Sequence, residues 1–150
     1  MSNDSLSEAE IAALREIAGT MVPADAKLGV PGADDPAILA DIVRSVGRDL
    51  PLVRKAITEI TAKSFASLDR DRREVLINDM YGSRAAPIVA LGRVILGAYY
   101  REDRVLLALR QEARAPFPKG YTLEQGDWSL LDAVRKRPPL WRDDRKELAK

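Results

Sequence analysis

The sequence predicts an all-α fold, an irregular helical bundle of six or seven helices around a central apolar helix at about 84–100. Three observations carry this expectation. Capping residues recur just ahead of stretches whose apolar positions repeat at i, i+3, i+4 and i+7. One stretch, 84–100, is apolar on nearly every side, the pattern of a helix enclosed by its neighbours. No segment alternates apolar and polar residues with β-branched enrichment, so strands are not expected.

Taken in order, the first helix opens at Ser7, which forms a capping box with Glu10. Ile11, Leu14, Ile17, Ala18 and Met21 mark its inner face, and Pro23 forces it to end near Val22. Residues 22–35 are rich in Pro, Gly and Asp and read as a loop. Asp35 followed by Pro36 is an N-cap with proline at the first helical position. Ile38, Leu39, Ile42, Val43 and Val46 point that second helix inward, and Gly47 stops it. Asp49 is placed to cap a third helix, with Leu52, Val53, Ala56, Ile57, Ile60 and Phe65 on its face. Asp69 is placed to cap a fourth, carrying Val75, Leu76 and Met80 and stopping at Gly82.

The fifth helix, from about Arg84 to Tyr100, has Ile88, Val89, Leu91, Val94, Ile95, Leu96, Tyr99 and Tyr100 distributed around it. It is expected either at the axis of the bundle or with one face covered by a partner. Gly92 and Gly97 weaken a helix by about 1 kcal/mol each relative to alanine and are expected to admit another backbone. A short helix from Asp103 carries Val105, Leu106 and Leu109, and Asp127 is placed to cap a last one bearing Trp128, Leu131 and Val134.

The chain of 150 residues is expected to form one helical domain over 1–150, with 1–5 and 142–150 fraying. A net charge of +1 gives no global attraction to nucleic acid or to an anionic membrane. Two basic clusters, Arg70/Arg72/Arg73 and Arg135/Lys136/Arg137, read as solvated or helix-end charges, with nucleic-acid contact as the competing reading. The longest apolar run is interrupted by Arg93 and is too short to span a bilayer, so membrane insertion is not expected.

The chain contains neither histidine nor cysteine. Ser-His-Asp and Cys-His nucleophiles are thereby excluded, and so are the usual zinc, iron–sulfur and c-type haem ligand sets. Asp–Asp pairs at 34–35 and 143–144 read as capping or solvated residues. Catalysis by Tyr, carboxylates or Lys stays open as a chemical option, but no catalytic, cofactor-binding or metal-binding residue is assigned. The N-terminus lacks a basic, apolar or twin-arginine export signal, so a cytoplasmic location is expected, or a periplasmic one if a leader has been removed.

The chain is poor in aromatics, yet Tyr99, Tyr100, Phe117 and Tyr121 gather within a short span together with Pro116, Pro118 and Gly120. Proline fixes φ and lacks a donor, so 116–121 is expected to be a stiff loop. Two roles are open for it: closing the end of the bundle, or holding rigid aromatic surface against a partner.

In order and spacing these segments resemble the gluconate 2-dehydrogenase subunit 3 family. The resemblance runs from Leu6 to Tyr121. Its elements are Val22-Pro23-Ala24-Asp25, Pro31-Gly32-Ala33, a middle helix with Phe65, Leu68, Arg73 and Leu76, the helix end Gly97-Tyr99-Tyr100, and Pro116-Phe117-Pro118 with Gly120-Tyr121. Family members often carry a twin-arginine signal that this chain lacks, and its segment after Tyr121 is longer than the family pattern.

The resemblance implies a non-catalytic small subunit of an oxidoreductase complex. Such a subunit binds and stabilises a FAD-dependent large subunit of the glucose–methanol–choline class, acting on a sugar or alcohol. FAD would lie in that flavoprotein partner, and a cytochrome subunit accompanies some such complexes. Tyr99, Tyr100, Pro116, Phe117, Pro118, Gly120, Tyr121 and Trp128 are the expected partner-interface residues. The alternative is a helical regulatory or nucleic-acid-binding module.

Overall fold

The computed structural model describes residues 5–113 and 126–138. Contacts group the chain into two units, Met1–Ala115 and Pro116–Lys150, where the sequence suggests one domain. Among the described residues there are seven α-helices and no β-strand. The fold class is therefore the all-α bundle expected from capping and periodicity.

The first unit holds α1 (Glu8–Met21), α2 (Pro36–Ser45), α3 (Leu50–Thr61), α4 (Arg70–Gly82), α5 (Ala86–Tyr99) and α6 (Asp103–Ala108). Side-chain caps set the starts of three of the six, α1, α2 and α4. The Ser7 hydroxyl accepts from the Glu10 N–H, and the Glu10 carboxylate accepts from the Ser7 N–H at 2.7 Å. Asp35 accepts from the N–H groups of Ala37 and Ile38, and Asp69 from that of Arg72 at 2.9 Å. Each carboxylate or hydroxyl satisfies N–H groups that the helix itself leaves without partners.

Asp49 does not cap α3. The preceding turn, Gly47–Asp49, is a 3-10 turn that runs straight into the helix, so Asp49 already has helical dihedrals and its side chain makes no cap bond. Its carboxylate instead accepts from Arg93 Nη2 at 2.7 Å.

α5 packs against α3 and α2, while α1 packs against α2, α3 and α4. Leu14, Ile17, Ile38, Ile42, Val53, Ile60, Ile88, Leu91, Ile95 and Val105 are fully buried where these helices meet. α5 is central, but it is not enclosed all round. Val89, Arg93, Gly97 and Tyr100 are exposed, and their spacing places them along one strip of the helix. Composition alone does not separate a helix buried on every side from one with a narrow open strip.

The inward faces also shift in two places. Val75 is 59% exposed, and Ile77 is buried in its stead, joining half-buried Leu76, Met80 and Tyr81. Leu52 is 37% exposed at the edge of α3. Phe65 is buried as expected, but it lies in a 3-10 turn after α3 rather than on the helix itself. Gly92 admits a side chain and not a backbone: a Cβ placed there would fall 2.2 Å from the Tyr81 hydroxyl oxygen. At Gly97 a Cβ would meet nothing within 4 Å, so no close approach explains that glycine.

The first-turn arginines of α4 are held by neighbours. Arg70 pairs with Glu74, and Arg72 with Asp69. Arg73 reaches back to the carbonyls of Ala66 and Leu68, pairs with Glu16 at 3.3 Å and lies over the Phe65 ring. It fastens the α3–α4 turn to α1, which offsets its poor position on the helix dipole. Ser5 is held as well: Arg54 Nη2 donates to its carbonyl at 2.7 Å.

In the second unit Asp127 accepts from the Ser129 N–H at 3.0 Å and opens a 3-10 turn, Trp128–Leu131, that continues into α7 (Asp132–Arg135). Trp128, Leu130, Leu131 and Val134 are all exposed there. The cap was legible in the sequence. The regular helix expected after it is a 3-10 turn with a single α-turn.

Candidate functional site

The 22–35 loop and the C-terminal end of α5 form the most elaborated surface of the first unit. The loop is built from short-range bonds. Asp25 and Val30 exchange N–H···O bonds of 3.1 Å each, an isolated antiparallel bridge. The Asp25 carboxylate accepts from the N–H groups of Lys27 and Leu28, folding the intervening chain into a turn. Gly29 supplies the left-handed conformation the turn needs, with φ +69°.

The base of the loop closes through the Ala33 N–H, which donates to the Val22 carbonyl at 2.9 Å. Gly32 is buried at this closure, and a Cβ there would fall 2.3 Å from Asp34 Oδ1 and 3.0 Å from the Ala24 nitrogen. Only glycine lets the two loop strands approach in this way.

Long-range contacts then fix the loop to the helices. The Tyr99 hydroxyl donates to the Pro31 carbonyl at 3.0 Å. Arg104 grips Asp35 with two guanidinium nitrogens, at 2.8 and 3.2 Å, and also donates to Glu102. Arg101 donates to Asp41 at 2.6 Å and to the Ser45 hydroxyl at 2.7 Å. The turn between α5 and α6 is thus fastened to α2 at two points. Tyr100, which begins that turn, sets its ring edge-on to Tyr99 at 5.2 Å between centroids.

A shallow groove of about 570 Å³ runs along this surface, with Pro23, Ala24 and Leu28 on the loop side and Tyr100 and Leu109 opposite. A larger groove, about 990 Å³, lies beside it, with Ile11, Leu39 and Leu68 among its apolar lining and Arg15, Arg70 and Asp34 among its charged lining. Among the described residues no group of His, Cys, Asp and Glu could hold a metal ion, and no helix is long and apolar enough to cross a membrane.

The carboxylates nearby are committed to structural partners. Arg104, then the Ala37 and Ile38 N–H groups, hold Asp35 below its ordinary pKa. Arg101, aided by Arg44, does the same for Asp41, and the Ser7 N–H and Arg54 do so for Glu10. Burial pushes the Tyr99 phenol up, with Tyr100 and Asp25 adding to the shift. Burial opposes the shift at each of the three carboxylates, and the donors outweigh it.

A depressed folded pKa stabilises the fold fully above the unfolded value, near 4, and this contribution disappears as the pH falls through the folded values. The urea midpoint is therefore expected to drop as the pH falls from about 5 through the folded values, and Arg104→Ala should shrink that drop by the part of the Asp35 contribution that Arg104 supplies. An unchanged midpoint across this window would show that these bonds carry no linkage.

Of the residues the sequence put forward for a partner interface, the structure separates Tyr99 from Tyr100. Tyr99 is only 4% exposed and its hydroxyl is engaged, so it supports the loop from beneath instead of presenting an anchor. Tyr100 is 54% exposed. Trp128 is exposed in the second unit. Pro116, Phe117, Pro118, Gly120 and Tyr121 lie outside the described residues.

Leu28 and Leu109 join the surface although the sequence did not single them out for it. Leu28 carried no periodic signal, being a lone apolar residue in a polar loop, and Leu109 read as a core residue of the short helix. Tyr99→Phe should cost about 1 kcal/mol, the usual net value of one hydrogen bond, and speed amide exchange at Val30 and Ala33. Unchanged exchange at both amides would mean that the Tyr99 hydroxyl does not hold the loop.

Compared with protein-family models, curated proteins and solved structures, the chain matches none.

Proposed function

We propose that this chain is a non-catalytic small subunit that binds and stabilises a FAD-dependent dehydrogenase acting on a sugar or alcohol. The reading starts from the resemblance to the gluconate 2-dehydrogenase subunit 3 family. One observation supports it most: segments of that resemblance that lie far apart in the chain meet in space. Tyr99 bonds to Pro31, while Tyr100 shares a groove with Pro23, Ala24 and Asp25. Residues that serve only their own helices have no reason to converge in this way. A rigid loop with an exposed tyrosine beside an apolar groove suits contact with a large partner, because little ordering entropy remains to be lost on binding.

The alternative of a nucleic-acid-binding module draws less support. Arg70, Arg72, Arg73 and Arg135 each face an acidic side chain of the same chain, which reduces what they offer to phosphates.

The test is co-expression with the flavoprotein dehydrogenases of the same genome. One of them should co-purify with this chain, carry flavin absorbance, and be recovered in lower soluble yield without it. Tyr100→Ala should weaken that complex by about 2 kcal/mol, roughly 30-fold, while the helical circular dichroism stays unchanged. If the wild-type chain retains no flavoprotein, the proposed function is wrong. If it does and Tyr100→Ala binds equally well, the partner docks elsewhere.

A further inference from the structure

We draw no further inference here: the strongest candidate, the apolar groove between the 22–35 loop and the C-terminal end of α5 where Leu28, Tyr100 and Leu109 stand exposed, carries nothing beyond the function already proposed, because nothing in the structure shows what covers it.

Discussion

Replacing Leu91 by alanine is expected to destabilise the first unit by about 3 kcal/mol or more. Leu91 is fully buried on α5, the helix that packs against both α2 and α3. Truncation removes the transfer free energy of three carbons. It also leaves a cavity that the neighbouring side chains, held by stiff helices, can fill only in part. Against a total stability of about 5–15 kcal/mol this is a large fraction, and the melting temperature should fall by roughly 10 °C. Urea denaturation followed by far-ultraviolet circular dichroism measures it directly. Leu107→Ala is the matched control, since Leu107 is 62% exposed and its loss should stay within about 0.5 kcal/mol. Equal effects at the two positions would contradict the placement of α5 at the centre.

The second large effect is a change of sign. Gly92→Ala should destabilise the protein by about 1–2 kcal/mol, because the new methyl occupies the place of the Tyr81 ring end and Tyr81 has to give up its packing. In a Tyr81→Ala background the same substitution meets no ring. There it should stabilise α5 by up to about 1 kcal/mol, the ordinary helix preference of alanine over glycine. The double-mutant cycle should therefore show a coupling of about 2 kcal/mol between residues on α4 and α5. If Gly92→Ala has the same effect in both backgrounds, the contact with Tyr81 is not what keeps glycine at this position.

Of the candidate surface, the sequence put forward Tyr100, because an isolated aromatic cluster is a local signal, while Pro23-Ala24-Asp25 and Pro31-Gly32-Ala33 were read only as loop and as elements of the resemblance. That Tyr99 faces inward while Tyr100 faces outward could not be named. Adjacent positions on a helix point about a quarter-turn apart or more, and which of them meets the core depends on where the 22–35 loop crosses. Leu28 and Leu109 were equally silent, since exposure of a single leucine leaves no mark on the pattern around it.

Several features of this protein were determined by its sequence alone. Helices α1, α2 and α4 and the 3-10 turn after Asp127 start where a side-chain oxygen can reach an N–H two or three residues on, at Ser7, Asp35, Asp69 and Asp127. The all-α class follows from the periodicity behind those caps, and the lack of histidine and cysteine restricts the available chemistry before any fold is known. These are interactions of neighbours in the chain, so the chain order contains them.

Tertiary structure decided the rest. Asp49 had the right identity and position for a cap, yet it serves Arg93, 44 residues away. The Tyr99 hydroxyl found a carbonyl 68 residues away. The open strip of α5 is whatever α2, α3 and α4 leave uncovered. Such pairings depend on how helices pack against one another, which sequence spacing does not encode: each polar group takes the partner that packing brings within reach, and for the buried Tyr99 hydroxyl leaving it without one costs more than the bond itself contributes.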